Sequence, residues 1–340
     1  MRYGDFLKKN SVIGIVAPSR GAVTEPFVSR INNAKKKFTN LGYKVVESEY
    51  VRQNIKNRSA LADARAQDFY NMYINPNIDM LLSNAGGDFC MEILPHMDFD
   101  KISKSQPKLF QGFSDNTVLT YMLTLHCDLA TIYGVCYPNF GARVWDRTLK
   151  DNFDFLTGNN KQLHNCKLYE KNNILKLSSD KLMGYNLTEP VEWKILNGGQ
   201  RVNISGRLIG GCIDVLRNLV GTQYDITTNF IEKYKNDGFI WYLETLRLNP
   251  VELYLTLTQF KMAGWFKYVK GFIFGRMGRP GELNDMNHYD SIMDALSEYN
   301  VPIIADMDFG HVPPLMHIVN GAIGHVDVVG SKGKISYELI

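Results

Sequence analysis

Over the first 150 residues, short continuous apolar runs alternate with segments of helical spacing. Val12-Ile13-Gly14-Ile15-Val16-Ala17 is the run that a strand buried on both faces requires, and Pro18-Ser19-Arg20-Gly21 ends it. Phe27, Ile31, Ala34 and Phe38 then recur at helical intervals over 26–41, Gly42 stops the helix, and a strand-like segment follows at 43–46. This is a βαβ unit. The same reading predicts a helix over 59–73, a strand over 78–82 leading into Gly86-Gly87, a strand over 107–111 and a helix over 117–126. Such alternation predicts an α/β fold whose N-terminal domain, 1–150, is a doubly wound, mainly parallel sheet with helices on both faces.

Across 151–190 the pattern weakens, because Gly158-Asn159-Asn160, Lys171-Asn172-Asn173 and Ser178-Ser179-Asp180 are polar and rich in turn formers. We read this stretch as an interdomain crossover. Patterning returns from 191 to 340 as a smaller C-terminal β/α domain. Strands are predicted at 202–209, 239–243, 269–274 and 302–305, helices at 213–219, 251–263 and 291–299, and a terminal hairpin turning at Gly330-Ser331-Lys332-Gly333.

Composition narrows the function classes. The 340 residues carry 38 basic and 35 acidic side chains, a formal charge of 38 − 35 = +3, with 45% hydrophobic and 21% charged residues. A balance this even gives no electrostatic reason to expect nucleic acid as a partner. No apolar run approaches the roughly 18 residues that a membrane span needs, and 1–10 does not read as a secretory signal, so a cytoplasmic protein without membrane partners is expected. Five dispersed cysteines, with no Cys-x-x-Cys pair, read as reduced core thiols rather than a disulfide framework.

Chemistry concentrates in four segments. In Lys108-Leu109-Phe110-Gln111-Gly112-Phe113-Ser114-Asp115-Asn116-Thr117 an apolar strand runs through Gly-x-Ser directly into a helix. Such a nucleophile elbow lifts a serine clear of the sheet and aims the next amide, here that of Asp115, at a developing oxyanion. Asn116 stands where the common hydrolase motif has Gly, and a plain helix N-cap at Ser114 or Asp115 is the competing reading. Gly86-Gly87, at the end of the preceding strand, would let backbone amides approach a substrate, although a simple turn has the same appearance. No G-x-G-x-x-G or P-loop occurs.

A serine needs a base, and the base needs an orienting acceptor. His311, in the irregular Asp306-Met307-Asp308-Phe309-Gly310-His311-Val312-Pro313-Pro314 loop, is the candidate base. The other six histidines fit helices, surface-like turns or the hairpin. Glu244 ends an apolar strand with a charge, which must be solvated or paired, and Asp306 and Asp308 are its rivals. No metal motif is present, so neither a metal site nor a cofactor is expected.

Together and in this order, these segments resemble the LD-carboxypeptidase family of serine peptidases, which includes the microcin C immunity peptidases. The resemblance runs from Ile13-Gly14-Ile15-Val16-Ala17-Pro18-Ser19 through Ala85-Gly86-Gly87, Leu94-Pro95, Gly112-Phe113-Ser114-Asp115-Asn116-Thr117 and Tyr133-Gly134. It continues through Gly206-Arg207-Leu208-Ile209-Gly210-Gly211, Leu219-Val220-Gly221-Thr222, Leu243-Glu244, 269–275 and Phe309-Gly310-His311. It implies Ser114 as nucleophile, His311 as general base and Glu244 as its orienting carboxylate. The oxyanion hole would use the backbone amides of Gly86 or Gly87 and Asp115, in an active site between the two domains.

The implied substrate is a small peptide such as a murein tetrapeptide, cleaved at its terminal L,D amide, and a homodimer is expected by analogy. Arg276 is a candidate clamp for the substrate carboxylate. Ala85 and Asp88 replace the Arg and Tyr that many members carry around the paired glycines, which leans toward the immunity branch and a peptidyl-nucleotide substrate. In that branch a loop tryptophan stacks adenine. Residues 151–192 contain no Trp, and Trp193 stands near the end of the corresponding stretch. Two readings from outside the family are a non-catalytic two-domain small-molecule binding protein and a single-domain α/β-hydrolase.

Overall fold

The computed structural model describes residues 1–171, 175 and 178–340, so Asn172 and Asn173 of the second predicted turn lie outside the described residues. The chain forms two compact units. One comprises 1–160, 171–186 and 316–318, and the other 161–170, 187–315 and 319–340.

The first unit is built on the Val12–Val16 strand, which is nearly all buried and pairs in parallel with Lys44–Glu47 on one side and Met80–Ser83 on the other. Leu109–Gly112 and Thr131–Tyr133 extend the sheet, also in parallel. The order of the strands, with the first in sequence lying inside the sheet, is the doubly wound pattern expected from the alternation.

Phe27–Asn40 buries Ile31, Ala34 and Phe38, the same residues whose spacing marks the helix in the sequence. Thr117–Cys127 is different. Every residue in it except His126 is buried, so it packs on all sides and leaves no solvent face. The Arg147–Leu156 helix extends into the stretch read as crossover. Its buried face is interrupted by Asn152, which exchanges hydrogen bonds with Gln111 at 2.8 and 3.0 Å, and this hides the helical period from a purely apolar count.

The second unit holds an eight-stranded mixed sheet. Its centre is parallel: Arg201–Cys212, Phe239–Glu244, Val269–Gly275 and Ile303–Met307 lie side by side. The terminal hairpin, Ile323–Val329 and Lys332–Glu338, adds antiparallel strands beside Arg201–Cys212. Gln162–His164 and Lys194–Ile195 close the two edges. Trp241, Phe260, Trp265 and Phe266 fill the space between the sheet and the Pro250–Met262 helix, with Phe260 and Trp265 stacked at 4.5 Å. The helix starts on an Asn249 capping box completed by Glu252. The Thr227–Lys233 helix has no counterpart among the predicted elements. All five cysteines are buried, and none is joined in a disulfide. Among the described residues, no helix is long and apolar enough to cross a membrane.

Candidate active site

Ser114 follows directly on the buried Leu109–Gly112 strand and begins a single 3-10 turn that runs into the Thr117–Cys127 helix. Its φ of +62° is the left-handed conformation that a non-glycine residue adopts only at some cost, and it is what a strand-to-helix elbow demands. Four side chains hold the elbow. Asn116 Nδ2 donates to Ala85 O and Phe113 O at 3.1 Å, while Ser83 Oγ donates to Asn116 Oδ1 at 2.6 Å. Asp115 Oδ2 accepts from Ser19 Oγ and, at 2.8 Å, from the Cys90 amide. Burial pushes the Asp115 carboxyl above its ordinary range against the pull of these donors. Asn116, read from sequence as a departure from the elbow motif, is therefore the brace that joins two strand ends.

The paired glycines lie against this elbow. A Cβ on Gly86 would stand 3.0 Å from Ser114 Cβ and 3.2 Å from its Oγ, and one on Gly87 would meet Ser19 Oγ. A side chain at either position would have to push the serine or its brace aside, which is why the loop carries Gly-Gly.

In the second unit the parallel register sets Cys212 directly beside Glu244 at the carboxyl ends of neighbouring strands. Glu244 is fully buried, and its Oε2 accepts from His311 Nδ1 at 2.8 Å. The carboxylate thereby fixes the proton on Nδ1 and leaves Nε2 as the acceptor. Burial alone would lower the His311 pKa. The charge and hydrogen bond of Glu244, helped by Asp214, outweigh it and hold the imidazole above its usual 6.5. Gly310 makes the approach possible: its φ is +96°, and a Cβ there would stand 2.8 Å from Glu244 Oε2.

Sequence reasoning missed Asp214, which anchors the loop after Glu244. It accepts from Thr245 Oγ1 at 2.7 Å and from the amides of Leu246 and Arg247 at 3.0 Å. The available signal was Gly-Gly-Cys-Ile-Asp at the end of a strand parallel to the one carrying Glu244. Cys212, Glu244 and His311 bring their donor atoms within 4.8 Å of one another, so these residues could hold a metal ion.

The structure thus gathers Gly86, Gly87, Ser114 and Asp115 in one unit, and Glu244 and His311 in the other. The rivals of Glu244 are engaged elsewhere. Asp306 pairs with Lys194 at 2.8 Å and accepts from Tyr289 at 2.6 Å, and Asp308 pairs with Arg276 at 2.6 Å. Arg276 also donates to the carbonyls of Asp306, Val312 and Pro314 and lies over the Tyr169 ring. Trp193 is buried too, its indole N–H donating to Asp308 at 3.0 Å. Both residues considered for substrate contact therefore share Asp308 as a hydrogen-bond partner. His317, for which a satisfied or solvated imidazole was expected, is buried 4.6 Å from the Phe155 ring, and burial pushes its pKa down to about 3.

The geometry has clear relatives. The signature described as LD-carboxypeptidase N-terminal domain matches residues 13–134, and that described as LD-carboxypeptidase C-terminal domain matches 205–326. The microcin C7 self-immunity protein MccF of Escherichia coli is 25% identical over 312 residues, covering 88% of this chain and 86% of its own. A Bacillus subtilis protein bearing the name "Probable murein peptide carboxypeptidase" is 22% identical over 319 residues, covering 93% and 88%. The solved MccF-like protein of Bacillus anthracis superposes with a TM-score of 0.83 at 23% identity, over 99% of this chain and 100% of that one. With both domain signatures in order on the fold just described, the chain belongs to the LD-carboxypeptidase family of peptidases.

Proposed function

We propose that this peptidase is a serine carboxypeptidase that hydrolyses a terminal amide of a small peptide, with Ser114, His311 and Glu244 acting as a triad. Ser114 Oγ attacks the scissile carbonyl, and His311 Nε2 takes its proton and returns it to the leaving amine. Glu244 holds the imidazolium that forms in between. The amides of Gly86 or Gly87 and of Asp115 stabilise the oxyanion. The observation that carries this reading is the fully buried carboxylate of Glu244 on His311 Nδ1, because a charge is kept out of water at this strand end only with a partner that uses it. The positive φ of Ser114 and the glycine loop against it support the nucleophile assignment. The test is release of D-alanine from a murein tetrapeptide. The native chain should turn over and Ser114→Ala should not; full activity in Ser114→Ala would overturn the mechanism.

A second substrate reading rests on the immunity branch. One relative is named as a microcin C7 self-immunity protein, and MccF has been solved in complex with glutamyl sulfamoyl guanosine and with aspartyl sulfamoyl adenosine. Under this reading the same triad cleaves the amide of an aminoacyl-nucleotide. Ala85 and Asp88 beside the paired glycines favour it. Parallel assays with a tetrapeptide and an aminoacyl sulfamoyl adenosine separate the two by kcat/KM.

A further inference from the structure

The Cys212–Glu244–His311 cluster offers more than hydrolysis requires. A triad uses the carboxylate and the imidazole, yet a thiol stands in register beside the carboxylate, and all three donor atoms fall within 4.8 Å of one another. Bond lengths to zinc are about 2.0–2.3 Å for nitrogen, oxygen and sulfur ligands, so ligand atoms on one tetrahedral ion stand roughly 3.3–3.7 Å apart. Small side-chain shifts bring the cluster to that spacing.

We propose that Cys212, Glu244 and His311 form a binding site for a thiophilic divalent cation of the zinc class, and that the bound ion switches the peptidase off. The ion-binding half stands on the cluster itself; the inhibitory half rests on the triad reading above. A thiolate, a carboxylate and an imidazole make a three-ligand set that leaves one position open. The local field suits a cation. The Asp214 carboxylate flanks the sulfur at 3.5 Å and is already oriented by Thr245, Leu246 and Arg247, while the Arg247 side chain supplies the opposing charge. In the metal-free protein, burial and the two carboxylates keep the thiol protonated.

Metal binding moves two protons. The Cys212 Sγ–H bond breaks, its proton leaves to solvent, and a sulfur–metal bond forms. The His311 proton shifts from Nδ1 to Nε2 as Nδ1 takes the ion. Nothing is oxidised or reduced. The consequence for catalysis is direct: an Nε2 that carries a proton cannot accept one from Ser114.

Cobalt(II) titration of the full chain tests the site without reference to activity, because a sulfur-to-cobalt charge-transfer band reports thiolate ligation. The native chain should bind one cobalt per chain with that band. Cys212→Ser should lose the band and bind at least about 100-fold more weakly, since even outer-shell changes cost 10–100-fold. Zinc should displace the cobalt and inhibit peptide hydrolysis, and in Cys212→Ser the ratio of rates with and without zinc should return to about one. Circular dichroism confirms that the variant is folded, and Cys212→Ala gives a second variant without an oxygen ligand. A native chain with no thiolate band, or a band that persists in both variants, would overturn the site. A band on a chain that cleaves neither substrate would leave the site standing and refute the triad reading instead.

Discussion

The Ser114 elbow is held by backbone constraint and short hydrogen-bonded braces, whereas the Glu244–His311 pair is held by the burial of a charge. Around Ser114 the chain tolerates a positive φ, carries glycine where a Cβ would touch the serine, and joins two strand ends through Asn116. Around Glu244 the ordering is electrostatic: a fully buried carboxylate, an imidazole at 2.8 Å and a second carboxylate anchored one strand away. The first arrangement rests chiefly on sterics and is sensitive to a single methyl group. The second also needs glycine at 310, but it responds directly to protonation. Preorganisation by sterics and preorganisation by charge should therefore fail in different ways.

The largest expected effect is on the nucleophile. Ser114→Ala should lower kcat by about 10⁶-fold with the fold intact, as loss of a triad nucleophile does elsewhere, measured as D-alanine release per active chain. Glu244→Gln keeps the shape and a hydrogen-bonding group but removes the charge. It should lower kcat by about 10⁴-fold, with little change in the circular dichroism spectrum. Gly86→Ala probes the steric cluster alone. Its methyl would force Ser114 by a few tenths of an ångström, and kcat should fall about tenfold at unchanged pH dependence.

The smallest effect is the sharpest discriminator. His311 must be neutral to act as a base, and its pKa lies above 6.5, so the acid limb of kcat/KM should fall above that value in the native chain and move down in Glu244→Gln. Stability carries the same signature with a defined sign. Because the folded pKa is raised above the unfolded one, the charged pair stabilises the fold fully below pH 6.5, and that contribution is lost as pH rises through the folded pKa. A urea midpoint measured across that window should drop with pH in the native chain and stay flatter in Glu244→Gln. Gly86→Ala should leave this slope untouched.

Much of this was legible in the sequence because it is written locally. Val12–Val16, Leu109–Gly112 and Phe239–Glu244 announce themselves as apolar runs, and Ser114, Glu244 and Gly310-His311 sit at run ends where strand-carboxyl chemistry belongs. What was not legible depends on register and tertiary partners. Nothing in the chain says that Cys212 lies opposite Glu244, or that Asp214 caps the loop after it. Arg276 and Trp193 looked available for substrate because their common partner, Asp308, is distant in sequence. The Arg147–Leu156 helix was masked by its buried Asn152. Such polar pairs satisfy one another inside the fold, and no periodicity count reveals them.

The central claim, that His311 activates Ser114, is tested most directly by covalent labelling with a serine-directed fluorophosphonate, read by peptide mass spectrometry in native protein and His311→Ala. One adduct per chain should form on Ser114 in the native protein, and at least about 100-fold more slowly in His311→Ala. An adduct on another residue in a chain that turns over peptide, or a labelling rate at Ser114 unchanged by His311→Ala, would contradict it.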